Sequence, residues 1–172
     1  MAEKPSFSLA IPATAVVSGS FLSGAMMGLS IVAVPVLLDT NTQSSHLLTQ
    51  FIRLYHYGHQ IMPSLGVVTF LLYGYTSLQL RASGKPWLHY IIAGAVTLTM
   101  VPFTWIVMVP TNDKLFHLDS QGRVDEGAAD LTLVQGLLTR WAGLHVVRSL
   151  FPLAGAALGG YHILNTRIYG VL

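Results

Sequence analysis

The chain has no cysteine, so disulfides, thiolate metal sites and a cysteine nucleophile are all excluded. Charge is nearly as scarce. Asp, Glu, Lys and Arg make up 9% of the 172 residues, against about 25% in ordinary soluble domains. A soluble fold with so few charges could not cover its surface with polar groups. The net charge of +2 is small and scattered, with no basic patch for nucleic acid. No glycine-rich phosphate loop stands in the strand–turn–helix context it needs, and no internal repeat is present. The longest apolar stretches contain no Asp or Glu at all.

What the chain does have is length without charge. Charge-free runs extend from Pro5 to Leu38, Leu54 to Leu80 and Pro86 to Asn112. A fourth starts near Thr139, is interrupted by Arg140 and Arg148, and continues to Thr166. A spanning helix needs about 20 mostly apolar residues, so these runs predict four spans. The expected fold is all-α, a single integral membrane four-helix bundle over 1–172, with helices near 12–38, 55–80, 87–110 and 137–164. The first run far exceeds the ~7–15 residues of a signal core, and Glu3 precedes it, so we expect a retained span. Insertion direction stays open. Lys4, Arg81, Lys85 and Arg167 on the side of the termini balance Arg53, Lys114, Arg123 and Arg140 on the other.

Helices in lipid pack through small residues. Ser20, Gly24 and Gly28 on the first helix, with Gly155 and Gly159 on the fourth, are the candidate close contacts. Each expected helix also holds one proline: Pro35, Pro63, Pro102 and Pro152. A helical proline frees the carbonyl four residues earlier, which is His59 for Pro63 and Arg148 for Pro152.

In an up-and-down bundle the polar residues near Tyr55, Asn112 and Thr139 share one membrane face. On helix two, Tyr55, His59 and Met62 follow steps of four and three, which puts them on one side. On helix four, Trp141, His145, Arg148 and Pro152 form a similar stripe. Arg148 lies roughly 14 Å inside that helix at about 1.5 Å per residue. A charge there costs about 2.5–3.5 kcal/mol on insertion scales, and no span carboxylate is available to pair with it. Backbone carbonyls, water, an anionic ligand or snorkelling to the interface would each offset the cost. His145, one turn away, suits a general base or a structural hydrogen bond between helices. His56 and His59 are spaced i, i+3, and together with His145 they could make a three-histidine metal site. Trp105 and Trp141 fit membrane-belt aromatics, and Trp141 fits equally a ring that stacks on a flat ligand.

Several of these segments together resemble one known family, and they cover nearly the whole chain. They are Ser18–Met27, Tyr55-His56-Tyr57-Gly58-His59-Gln60 followed by Pro63, and Pro102-Phe103-Thr104 followed by Val109-Pro110-Thr111-Asn112-Asp113-Lys114-Leu115. The last is Trp141-Ala142-Gly143-Leu144-His145-Val146-Val147-Arg148. This pattern looks like the fungal anthrone oxygenases, small four-helix membrane proteins of polyketide metabolism.

The resemblance implies oxidation of an anthrone to an anthraquinone by O₂, without flavin or haem. An anthrone has an acidic methylene, and its anion can pass an electron to O₂ directly. On that reading His145 is the base, with His59 second, and Arg148 stabilises the anthrolate or the reduced oxygen. Tyr55 and Asn112 would hydrogen-bond substrate oxygens, Trp141 would stack on the rings, and His56, Thr104 and Lys114 would complete the binding set. The implied partners are the anthrone, O₂ and membrane lipid, with no nucleic acid; self-association is left open. The endoplasmic reticulum is the expected membrane. Two rival readings remain at this point. One is a Cu or Fe oxidase with the metal on His56, His59 and His145. The other is a non-catalytic scaffold or carrier for hydrophobic metabolites.

Overall fold

The computed structural model describes residues 8–122 and 129–168, with no side-chain detail for 166–168. Glu3, Lys4, Arg123 and the Arg167 side chain therefore lie outside the described residues. Four helices are long and apolar enough to cross a membrane: α1 Ala10–Thr40, α2 Ser44–Ala82, α3 Leu88–Gly122 and α4, whose spanning part is Leu131–Asn165. No strand occurs among the described residues. The architecture is all-α, four-helix and membrane-spanning. Large apolar side chains stand on its outer surface, among them Phe21, Ile31, Leu71 and Leu158. A helix that is apolar on both its buried and its outward face belongs in lipid.

The helices reach well beyond the apolar runs. Helix α2 begins at Ser44, well before the expected start near residue 55, because Leu47, Leu48 and Phe51 recur at helical spacing and are wholly buried. Helix α3 continues past Pro110 to Gly122 and buries Thr111, Asn112 and Leu115. Helix α4 opens a turn and a half early, with Val134 and Leu138 in the core. Asp130 caps it, its Oδ1 accepting the Thr132 N–H at 3.3 Å.

Two wide π-helical turns interrupt the helices, Leu29–Ala33 in α1 and Thr104–Met108 in α3. Their hydrogen bonds step over one extra residue: Val34 N–H reaches Leu29 O, and Val109 N–H reaches Thr104 O. A proline stands two residues beyond the end of each turn, Pro35 or Pro110. The proline ring crowds the carbonyl four residues back and removes its donor, and the wide turn absorbs that misfit.

The chain forms two compact units, each drawing segments from all four helices. The first comprises the residues up to Ser23, Ser64–Thr99, and Phe151 onward. Its core is Ala15, Tyr73, Leu80, Tyr90 and Ala93. Tyr73 is wholly buried and donates its hydroxyl to Gly155 O at 3.3 Å. Gly155 and Gly159 are true close approaches. A Cβ on Gly155 would lie 2.6 Å from Ala93 O, and one on Gly159 would strike the Tyr73 ring. On α1 the expectation fails: a Cβ on Gly24 or Gly28 would meet nothing within 4 Å. The α1 glycine that meets a neighbour is Gly19, whose Cβ would lie 3.4 Å from Ala156 Cβ. Helix α2 ends in a Schellman turn. Lys85 N–H bonds Leu80 O at 2.9 Å, Gly84 N–H bonds Arg81 O at 3.1 Å, and Gly84 takes φ +69°.

The second unit comprises Gly24–Pro63 and Met100–Leu150. Val34, Phe51, Met108, Leu115, Val134, Leu138 and Trp141 lie in its core. It also contains both π-helical turns and the polar residues singled out in the sequence.

Candidate active site

The second unit encloses a cavity of about 230 Å³. That is somewhat below the ~300–1,000 Å³ typical of drug-sized ligand pockets, so the occupant should be compact. All four helices contribute. Leu29 comes from α1; Leu54, Tyr55, Gly58, His59 and Pro63 from α2; Met100, Val101, Thr104, Trp105 and Val109 from α3; and Trp141, His145 and Arg148 from α4. The wall is mainly apolar, with a few polar groups on one side. His59 and Trp105 are lining residues that are also exposed, Trp105 at 70%, so they mark the mouth. Trp105 belongs to the outward apolar surface, so the mouth meets the lipid phase.

The α4 stripe is buried where the sequence places it. His145 is 2% exposed and Arg148 7%. The Arg148 guanidinium donates from Nη1 to Thr104 Oγ1 at 3.1 Å, and that hydroxyl donates in turn to Met100 O at 2.7 Å. No carboxylate bonds Arg148 among the described residues, and its buried Nε has no hydrogen-bond partner. Tyr55 is within electrostatic range of the guanidinium. The charge is held by a single hydroxyl, which does not neutralise it. A buried cation in this state is costly until a counter-charge or further hydrogen bonds compensate it.

The His145 imidazole is fixed on two sides. Its Nδ1 lies 3.0 Å from Ser30 Oγ and 3.2 Å from Met26 O. Its face stacks on Trp141, with ring centroids 4.4 Å apart and 21° between planes. Phe51 packs edge-on against the same indole at 5.1 Å. His145 covers one face of Trp141, and the indole also lines the cavity. The indole Nε1 is buried without a partner. His59 stacks on Tyr55 at 5.4 Å and directs Nδ1 to Tyr55 O at 3.1 Å.

The structure therefore brings His145, Arg148, His59, Tyr55, Thr104 and Trp141 to one cavity. Three other candidates lie elsewhere. His56 is exposed and packs beside Tyr57 and His59. Lys114 is exposed on the polar extension of α3. Asn112 is 2% exposed but does not line the cavity, and its Oδ1 has no partner. None of the three lines the cavity: α3 stays helical through Asn112 and Lys114 and carries them past it, and His56 turns outward although its ring touches that of His59. Among the described residues no three histidines or carboxylates are grouped so as to hold a metal ion, so His56, His59 and His145 do not assemble as a triad.

Sequence reasoning missed Ser30 and the Met26 carbonyl. Their signal was faint: a serine one turn after Met26 in an apolar helix, five residues before a proline. The two π-helical turns were not foreseen either, although each supplies cavity residues, Leu29 in α1 and Thr104 and Trp105 in α3.

Residues 51–158 match the anthrone oxygenase family. The chain belongs to that family. Anthrone oxygenase tpcL of Aspergillus fumigatus is 57% identical over 153 residues, covering 89% of this chain and 92% of that one. Anthrone oxygenase AgnL2 of Paecilomyces divaricatus is 52% identical over 86% of this chain and 91% of its own. The noranthrone monooxygenase of Aspergillus flavus is 41% identical over 84% of this chain and 69% of its own. No solved structure matches. The matched region of this anthrone oxygenase family member contains most of the cavity wall, from Leu54 to Arg148, and Leu29 lies before it.

Proposed function

We propose that this protein is a membrane-embedded oxygenase that converts an anthrone-type aromatic polyketide to the anthraquinone with O₂. The observation that carries the reading is the pairing of a buried guanidinium, with no carboxylate partner among the described residues, and a buried imidazole in one small apolar cavity. The relatives' names supply the substrate class.

The chemistry follows from these groups. His145 takes a proton from the acidic methylene and leaves an electron-rich anthrolate. Arg148 balances the negative charge, the kind of preorganised electrostatics that dominates many active sites. The anion passes one electron to O₂, the resulting pair recombines at the same carbon, and protonation gives a hydroperoxide. Loss of water leaves the quinone. The substrate carbon gives up four electrons in all. One oxygen atom of O₂ stays on carbon and the other leaves as water. The substrate itself is the reductant, so this route needs no metal, flavin or haem. Tyr55 and Thr104, which line the cavity, would hydrogen-bond substrate oxygens. His59, at the mouth, is the second candidate base. An apolar substrate would arrive from the bilayer past Trp105. We assign the protein to the endoplasmic reticulum membrane as part of the same proposal, on the ground that its substrate class is a product of cellular biosynthesis; co-localisation of a tagged chain with a reticulum marker checks it.

The deciding experiment follows quinone formation and O₂ uptake by purified protein in detergent, against a protein-free blank. A rate well above the blank that falls in both His145→Ala and Arg148→Ala supports the reading. Tight anthrone binding with no oxygen uptake would make the protein a carrier instead.

A further inference from the structure

We propose that Ser30, on the π-helical turn of α1, is a positioning residue that sets which nitrogen of His145 is basic. This rests on the reading of His145 as the base.

A carbonyl oxygen can only accept. Met26 O lies 3.2 Å from His145 Nδ1, so the hydrogen of the neutral ring sits on Nδ1 and points at α1. Ser30 Oγ lies 3.0 Å from the same nitrogen and 3.4 Å from Met26 O. One arrangement satisfies all three atoms. Nδ1–H donates to Met26 O and to a lone pair of Ser30 Oγ, while the hydroxyl donates to Met26 O. Nε2 is then the nitrogen with a free lone pair, on a ring that forms part of the cavity wall. When it takes the substrate proton, the imidazolium keeps its Nδ1 bonds, and those bonds strengthen as the ring becomes charged.

The local fold explains why α1 can do this. Met26, Ser30 and Val34 lie at four-residue steps and are all buried, with Ser30 4% exposed. The wide turn begins one residue before Ser30 and ends at Ala33, just ahead of Val34 and Pro35. The irregularity in α1 therefore contains Ser30 and begins three residues after Met26, the two residues of that helix that bond the imidazole. Wide turns of this kind are often found at functional sites.

The test compares Ser30→Ala with Ser30→Thr, which keeps the hydroxyl. Ser30→Ala should lower kcat on the order of tenfold, the effect of about 1.4 kcal/mol in a barrier, with KM little changed. Ser30→Thr should recover most of the rate. Nitrogen NMR of ¹⁵N-histidine protein, with His145→Ala to assign the signal, should show wild-type His145 protonated at Nδ1. An unchanged kcat in Ser30→Ala would overturn the proposal. So would a raised KM with equal loss in both variants, or a wild-type ring protonated at Nε2. The NMR result stands even if Ser30→Ala fails to fold. If His145→Ala keeps full turnover, the base assignment itself fails. If His145→Ala is inactive and Ser30→Ala is silent, only this inference does.

Discussion

Trp141 and His145 lie one turn apart on α4 with their rings stacked, centroids 4.4 Å apart. The indole is therefore in direct contact with the imidazole. Both rings are nearly inaccessible, and Phe51 fixes the indole from the edge. Trp141→Phe should preserve the stack and most of the volume, costing under about 1.5 kcal/mol of stability. Trp141→Ala should cost about 3–5 kcal/mol and lower turnover through loss of imidazole orientation. Thermal unfolding and steady-state rates on both variants check this. Equal turnover in the two would show that the stack does not orient His145.

Arg148 separates stability from function. Its guanidinium is buried, has Thr104 as its hydrogen-bond partner and, among the described residues, is not paired with a carboxylate. Replacing it with the apolar, similarly long Met removes a costly buried charge. Arg148→Met should be neutral or stabilising, by up to about 1–4 kcal/mol on the precedent of buried ion groups exchanged for apolar ones. The same change should lower kcat/KM by about 10²–10³, the usual loss of a preorganised donor at a developing anion. Melting temperature and quinone formation measured on one preparation test both halves. A variant that is more stable and fully active would remove Arg148 from the chemistry.

The sequence made the spans legible because lipid imposes a simple rule: about 20 residues without charge. The same rule hid the helix ends. Ser44–Arg53 and Asp113–Gly122 are polar by composition, yet Leu47, Leu48, Phe51 and Leu115 keep them helical by packing inside the second unit. The His145–Arg148 stripe could be read because charge in an apolar run is conspicuous and helical spacing fixes its face. Its supports could not. Ser30 reaches His145 across 115 residues of sequence, and the backbone carbonyl of Met26 carries no residue-type signal. The small-residue stripe misled on α1 because spacing does not say which face meets a helix and which meets lipid. Gly24 is exposed, and Gly19 makes the contact.

Metal removal tests the proposed chemistry from another direction. His145 commits Nδ1 to Met26 O and Ser30, while His56 and His59 have ring centroids 5.8 Å apart on successive turns of α2. Chelator-treated protein, verified metal-free by elemental analysis, should retain its anthrone-dependent O₂ uptake above the protein-free blank. Loss of activity that returns on adding Cu or Fe would move the reaction to a histidine-ligated metal and require the α2 histidines to rearrange.

The glycines give a paired prediction for the membrane core. On α4, Gly159 faces Tyr73, and a methyl group there would overlap the phenol that donates to Gly155 O. Tyr73 is wholly buried and cannot swing aside freely. Gly159→Ala should therefore destabilise by about 1–3 kcal/mol through overpacking. On α1, a methyl group at Gly24 would meet nothing within 4 Å, so Gly24→Ala should only improve helix propensity, by up to about 1 kcal/mol. Unfolding of both variants in mild detergent distinguishes the cases. Opposite signs would establish that α4, and not the Gly24–Gly28 stripe of α1, presents the close-packed small-residue face. Equal destabilisation would mean that Gly24 meets a neighbour, a second copy of the chain being the candidate, and would reopen the question of self-association.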